Sequence, residues 1–202
     1  MKPGEFLQAA RVPLTLTPQS FGQWTIDRTW NIPPEHRATV GPWDHLTLLK
    51  TYTASTRSIG GEVVMEDSKQ ELSRHLPIWL HAKGRVLVTG LGLGCVVRGL
   101  LYSPHVTHID VVEIDGDILD VVGPEFEHER VTLHHADALT WDFGDRSWDC
   151  AWHDIWSDTD SGGEHLSVLH AHLMVRFMKR VTRQGAWNFP RFAKRRIENI
   201  IG

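Results

Sequence analysis

The segment Arg85-Val-Leu-Val-Thr-Gly-Leu-Gly-Leu-Gly94, with Val111-Val-Glu-Ile-Asp115 following it, says most about the architecture of this chain. Arg85 to Thr89 is a short apolar run ending in glycine, the pattern of a strand buried on both faces of a parallel sheet. Gly90, Gly92 and Gly94 then lead into a helical spacing from Val96 to Tyr102, and a loop without side chains lets backbone amides approach an anionic ligand closely. A bare tight turn between strand and helix would use the same residues, so the triplet alone does not decide between the two. Val106 to Ile114 is again a strand. It carries Glu113 to its tip, about 20 residues beyond the glycines, where an acid can accept from ribose hydroxyls. The tip position favours that role over a helix cap for Glu113 and leaves Asp115 as the structural acid.

Beyond this unit, Ile118 to Val122 suits a helix, Val131 to His134 a third strand and Trp148 to His153 a fourth, separated by the lengths that crossovers need. Leu166 to Thr182 is long and amphipathic, Gly185 to Phe189 adds a fifth strand, and a basic helix closes the sequence. On the other side, Ser68 caps a helix with apolar positions Leu72, Leu76, Trp79 and Leu80, which Gly84 ends. Before it, His45 to Thr53 and Gly61 to Glu66 flank a glycine-containing turn and predict a β-hairpin. Pro3, Pro13, Pro18, Pro33, Pro34 and Pro42 predict an N-terminal arm with short extended pieces and no helix. The expected fold is α/β: an arm and β-hairpin over residues 1–66, then a doubly wound, mostly parallel sheet over 67–202. Such sheets bind ligands beyond the carboxyl ends of their strands.

Composition narrows the class. The chain has 202 residues, of which 41% are hydrophobic and 23% charged, with a formal charge of -4. That suffices for one substantial core and indicates neither disorder nor a wholesale polyanion-binding surface. Cys95 and Cys150 lie in apolar runs and cannot build a disulfide framework, so a reducing, cytoplasmic setting is expected. No run of about 18 apolar residues is present, and the N-terminus lacks a signal-peptide core, so no membrane association is expected.

Two further strand tips carry acids. Asp137, in His135-Ala-Asp-Ala138, can accept from an exocyclic amine or cap a helix start. Asp154, in Trp152-His-Asp-Ile-Trp-Ser-Asp158, is the best candidate for chemistry; His153 points to the opposite face of an extended strand, so only one of the pair meets the ligand.

With these residues in order, roughly Trp43 to Leu169 resembles the class I S-adenosylmethionine-dependent methyltransferases, most closely their spermidine-synthase-like branch. Gly90-Leu-Gly-Leu-Gly94 matches the family's glycine loop, Val112-Glu-Ile-Asp115 its ribose-binding acid, Ala136-Asp-Ala138 its adenine-side acid and Asp154 its acid after strand four. Glu71, His75-Leu-Pro77, Arg98 and the preceding hairpin also match. The resemblance implies a Rossmann-like sheet that binds S-adenosylmethionine through Gly90, Gly92, Gly94, Glu113, Ile114, Asp137 and Ala138. It also implies methyl transfer at Asp154, with the acceptor unidentified, and a homodimer by analogy. The alternatives are aminopropyl transfer to a polyamine, and a non-catalytic nucleotide- or nucleic-acid-binding protein on the same scaffold.

Departures bear on the choice. Aminopropyltransferases carry an acid in the glycine loop where this chain has Leu93, and their Asp-Ser-Ser-Asp-Pro signature is only partly present. There is no Asn/Asp-Pro-Pro-Tyr sequence of the common nucleic-acid amino-methyltransferases. The sequence ends soon after strand five, which predicts a shortened or replaced closing hairpin.

His165, His170 and His172 lack the companions of a metal set, so no metal is expected and they read as solvated or cap-forming. From Arg176 onward, eight basic residues face only Glu198. That segment suits nucleic acid, an acidic partner or an ordinary solvated face.

Overall fold

The computed structural model describes residues 1–13, 16–28, 46–50, 62–155, 164–187 and 189–193. The chain begins with a helix, α1 (Pro3–Ala9), where the sequence predicts extended pieces. Proline breaks helix interiors, but Pro3 stands in the first turn, where its missing N–H costs nothing. Glu5 completes the start by accepting from the Lys2 amide at 2.7 Å. The buried Phe6 stacks on Trp79 at 6.2 Å and meets Tyr102 edge-on at 5.6 Å.

β1 (Gln19–Phe21), β2 (Trp24–Arg28), β3 (Leu46–Lys50) and β4 (Glu62–Glu66) form an antiparallel sheet in sequence order. β3 and β4 are the expected hairpin, shorter than predicted, and its turn lies outside the described residues. The helix expected from Ser68 is two, α2 (Lys69–Arg74) and α3 (Leu76–His81). Pro77 lacks the amide that would continue the ladder, so the chain restarts at His75. Ser68 caps α2 as expected, its Oγ accepting from the Glu71 amide at 3.2 Å.

Next come β5 (Gly84–Thr89), α4 (Cys95–Tyr102), β6 (Val106–Glu113), α5 (Gly116–Val122), a 3-10 turn (Gly123–Phe126), β7 (Val131–His135) and β8 (Trp148–His153). α6 (Glu164–Phe177), β9 (Val181–Ala186) and β10 (Phe189–Ala193) complete the described chain. The second sheet has the order β10-β9-β8-β5-β6-β7, all parallel except β10. β5 lies at the switch point, flanked by β6 and β8. Its side chains alternate between two cores: Val86 and Val88 face the Phe6, Trp79 and Leu100 side, while Leu87 faces Trp148, Leu173 and Phe177. This is the doubly wound sheet that the apolar run predicts.

Three boundaries near the C-terminus differ from expectation. α6 ends at Phe177, and β9 begins at Val181 because Val181 pairs with Trp148 of β8, whose amide donates to the Arg180 carbonyl at 2.8 Å. Sheet pairing overrides the helical pattern of Met178 to Thr182. β10 pairs antiparallel with β9, so a closing hairpin is formed where the sequence predicts a basic helix. The rest of the basic segment, 194–202, lies outside the described residues.

One buried acid ties the parallel strands together. Asp110 of β6 accepts from Arg85 Nε at 2.7 Å, Trp148 Nε1 at 2.8 Å and His134 Nε2 at 3.0 Å. Burial alone would raise its pKa, but the bonds from His134, Arg85 and Trp148 outweigh it and hold the carboxyl well below the usual range. Among the described residues, no helix is long and apolar enough to cross a membrane.

Candidate functional site

A cavity of about 810 Å³ opens beyond the carboxyl ends of β5 to β8, walled on the far side by β2 to β4. Its floor is set by Gly90. At φ +92°, Gly90 lies so close to the tip of β8 that an added Cβ would sit 2.0 Å from the Asp154 carbonyl oxygen. The Gly90 amide donates to the Val112 carbonyl and the Asp154 amide to the Thr89 carbonyl, both at 2.8 Å, so the loop and both neighbouring strand tips are fixed together. Gly92 lines the cavity beside Met65, whose sulfur accepts from the Leu93 amide at 3.2 Å. Gly94 lies outside the lining. It begins α4 with φ +77°, and the Phe126 ring occupies the space a side chain would need.

Glu113 stands at the cavity edge, 6% exposed. Its Oε2 accepts from the Leu91 amide at 2.7 Å and its Oε1 from the Asp115 amide at 2.9 Å. Burial raises its pKa while these amide bonds pull it down. Each oxygen keeps a lone pair for a further donor. Asp115 is structural, as expected: Oδ1 caps α5 through the Asp117 and Ile118 amides, and Oδ2 accepts from Gln23 Nε2 at 3.0 Å and Trp24 Nε1 at 2.8 Å. That second pair brings the β1–β2 turn onto the cavity.

Ile114 is 64% exposed and Ala138 is buried, and both present apolar surface to the cavity. Asp137 lines it too, although its Oδ1 is engaged by the Leu139 amide at 2.9 Å in a local turn. No helix starts at Asp137, so the structure shows it closing a turn rather than capping a helix.

Asp154 lines the cavity beside the glycine loop. Burial, then the Glu71 charge, pushes its pKa up to about 7 against the opposing pull of Arg74. His153 faces the other way, as the strand alternation requires. Its Nδ1 accepts from Thr89 Oγ1 and its Nε2 donates to Gln184 Oε1, both at 3.1 Å. Burial lowers its pKa to about 4. Opposite Asp154, Trp187 Nε1 donates to Glu71, and Arg74 covers the Trp187 ring at 4.4 Å. Among the described lining residues, Glu66, Glu71, Glu113, Asp115, Asp137 and Asp154 are acids, and none is Lys or Arg.

The same arrangement of sheet and flanking helices recurs in spermidine synthase from Thermotoga maritima, with a TM-score of 0.52 at 14% identity, covering 84% of this chain and 55% of that one. A spermidine synthase in complex with the transition-state analogue AdoDATO gives 0.54 at 16% identity, covering 85% and 57%. The fold is that of the spermidine synthases, a Rossmann-like parallel sheet with flanking helices. No protein-family model matches the chain. The polyamine aminopropyltransferase of Agathobacter rectalis is 34% identical over 94 residues, covering 41% of this chain and 33% of that protein. The ribosomal RNA small subunit methyltransferase A of Laribacter hongkongensis is 46% identical over 59 residues, covering 29% and 22%. These matches span a third or less of the relatives' lengths.

On this spermidine-synthase-like fold, Gly90, Gly92, Glu113, Ile114, Asp137, Ala138 and Asp154 all border one cavity, and Gly94 does not. Leu93 is fully buried in the core, so nothing from that position replaces the loop acid of aminopropyltransferases. Trp24, Met65, Ile118, Leu169 and Trp187 also line the cavity and have no motif to mark them. His170, expected to be solvated or capping, is buried and donates from Nε2 to the Ile155 carbonyl at 3.1 Å, also at the cavity. Arg176, counted with the basic segment, is used internally, donating to the Ala138 and Trp141 carbonyls. Trp156 to Asp158 lie outside the described residues.

Proposed function

We propose that the chain binds S-adenosylmethionine in this cavity and transfers its methyl group to an amine acceptor, with Asp154 facing the reaction. The observation that carries the reading is Glu113: a buried carboxylate clamped by the Leu91 and Asp115 amides, with its remaining lone pairs at the edge of a cavity large enough for a nucleoside. Those lone pairs suit the two ribose hydroxyls. Ile114 and Ala138 supply apolar faces for the base, and Asp137 accepts from its exocyclic amine. Gly90 and Gly92 leave room for the backbone to approach the amino-acid end, while Gly94 sets the helix that follows.

The cofactor supplies an electrophilic methyl group on a sulfonium, so the protein needs to align the acceptor and exclude water. Asp154, half-protonated near neutrality, takes the proton that the acceptor loses. The described lining residues, which include six acids and no Lys or Arg, favour a cationic or neutral amine over a polyanion. Buried free thiols at Cys95 and Cys150 suit a cytoplasmic setting.

The same acidic lining supports a second reading, aminopropyl transfer from the doubly cationic decarboxylated cofactor, which the buried Leu93 disfavours. Incubation with methyl-labelled S-adenosylmethionine and a panel of amines, beside decarboxylated cofactor with putrescine, separates the two. Label on an amine with release of S-adenosylhomocysteine is expected. A new polyamine in the second arm alone would replace methyl transfer with aminopropyl transfer. Salt-dependent RNA binding without turnover in either arm would point to the non-catalytic alternative.

A further inference from the structure

His75 has no task in the chemistry above. It lies at the junction of α2 and α3, is 0% exposed, and is wedged between Trp79 at 5.5 Å and Trp152 at 5.9 Å. Among the described residues neither of its ring nitrogens has a hydrogen-bond partner, although the equally buried His153 satisfies both of its own. Buried polar atoms in native proteins are normally paired, and an unpaired imidazole next to a functional carboxylate calls for a reason. Its Nε2 is 3.8 Å from Asp154 Oδ2, about 0.6 Å beyond the usual upper limit of a hydrogen bond. Burial, then Arg74, lowers the His75 pKa to about 3, so the ring is neutral under physiological conditions, with one N–H to give.

We infer that His75 is the positioning residue for Asp154: a neutral imidazole protonated on Nε2 that closes the gap, donates to Oδ2 and leaves Oδ1 directed at the acceptor. The inference rests on Asp154 being the proton acceptor. The geometry suits this division of labour. Glu71 and Arg74 of α2 face Asp154 but are occupied with Trp187, one through its hydrogen bond and the other against its ring. Cys95 at the start of α4 is a thiol that burial keeps protonated. Glu66 and His170 reach the cavity from β4 and α6, and His170 Nε2 is committed to the Ile155 carbonyl. A donor to the ionised form favours that form, so His75 restrains the rise in the Asp154 pKa that burial causes.

The test is an NMR titration of the intact chain, following the side-chain carboxyl carbon of Asp154, assigned through Asp154→Asn, and the ring nitrogens of His75. His75 protonated on Nε2 and unprotonated on Nδ1 across neutral pH is expected. His75→Leu is expected to raise the Asp154 midpoint by about one unit, and His75→Gln, which retains a donor, to restore it. A bare Nε2 in the parent protein, or an unchanged midpoint in folded His75→Leu, would overturn the inference; should His75→Leu not fold, the tautomer and His75→Gln still decide. Equilibrium binding of S-adenosylmethionine, measured on the same samples, reports on the cofactor assignment separately. An Asp154 midpoint in the ordinary carboxylate range in the parent protein would defeat the proton-acceptor role itself.

Discussion

Asp154 has an unusual protonation balance, and its sign can be checked without any substrate. Its pKa in the folded chain, about 7, exceeds the roughly 3.9 of an unfolded aspartate, so between those values the folded state holds more protons. Stability therefore falls as pH rises through that window and levels off above it. Asp154→Asn removes the term. The variant is expected to gain on the parent by roughly 2–4 kcal/mol between pH 4 and pH 8 in urea denaturation; parallel stability curves would show that the carboxyl is not held protonated. Gly90 is the second residue with a sharp expectation. Gly90→Ala places a methyl against the Asp154 carbonyl at a φ that L-residues avoid, and should cost about 1–3 kcal/mol while moving Asp154. Denaturant midpoints check the first part and the Asp154 carboxyl shift the second.

Among the elements, β5, α4, β6, α5, β7 and β8 were legible because each pattern agrees with its tertiary role: apolar runs where both sheet faces are covered, and a cap such as Asp115 at a helix start. Pro3 and Pro77 account for the unexpected first helix and the split one by their local position, whereas the other failures come from information held by a distant strand. Met178 to Thr182 has a helical pattern, yet β8 draws Val181 into the sheet. Gln19 to Arg28 has no marked alternation, yet β1 pairs with β2, and pairing with β3 makes β2 part of the wall of the site. Glu113 and Asp154 were visible as strand-tip acids, whereas Trp24 and Trp187 reach the cavity from segments carrying no motif. Two expectations follow. Asp110→Asn should cost about 3 kcal/mol, because the Arg85, His134 and Trp148 donors converge on a buried charge. Since the Asp110 pKa is depressed, its contribution is present above the unfolded value and is lost as acid protonates it, so the deficit should shrink toward low pH. Trp24→Phe removes the indole donor to Asp115 and should loosen the β1–β2 turn, seen as faster hydrogen exchange there with little change in β5 to β8.

For the molecule as a whole, two sheets share one cavity, and the Gln23 and Trp24 bonds to Asp115 join them at its rim. The net charge of -4 understates the local field, because six acids and no Lys or Arg are found among the described lining residues. A cationic sulfonium entering this space gains from that field, and its affinity should weaken with added salt. Calorimetric titration of the chain with S-adenosylmethionine, repeated with Glu113→Ala, addresses the cofactor assignment head-on. Saturable binding at one site per chain is expected, weakened about tenfold or more by a substitution that frees the Leu91 and Asp115 amides and removes the ribose acceptor. Equal affinity in both proteins would contradict the role given to Glu113, and no binding of S-adenosylmethionine or its decarboxylated form would contradict the account altogether.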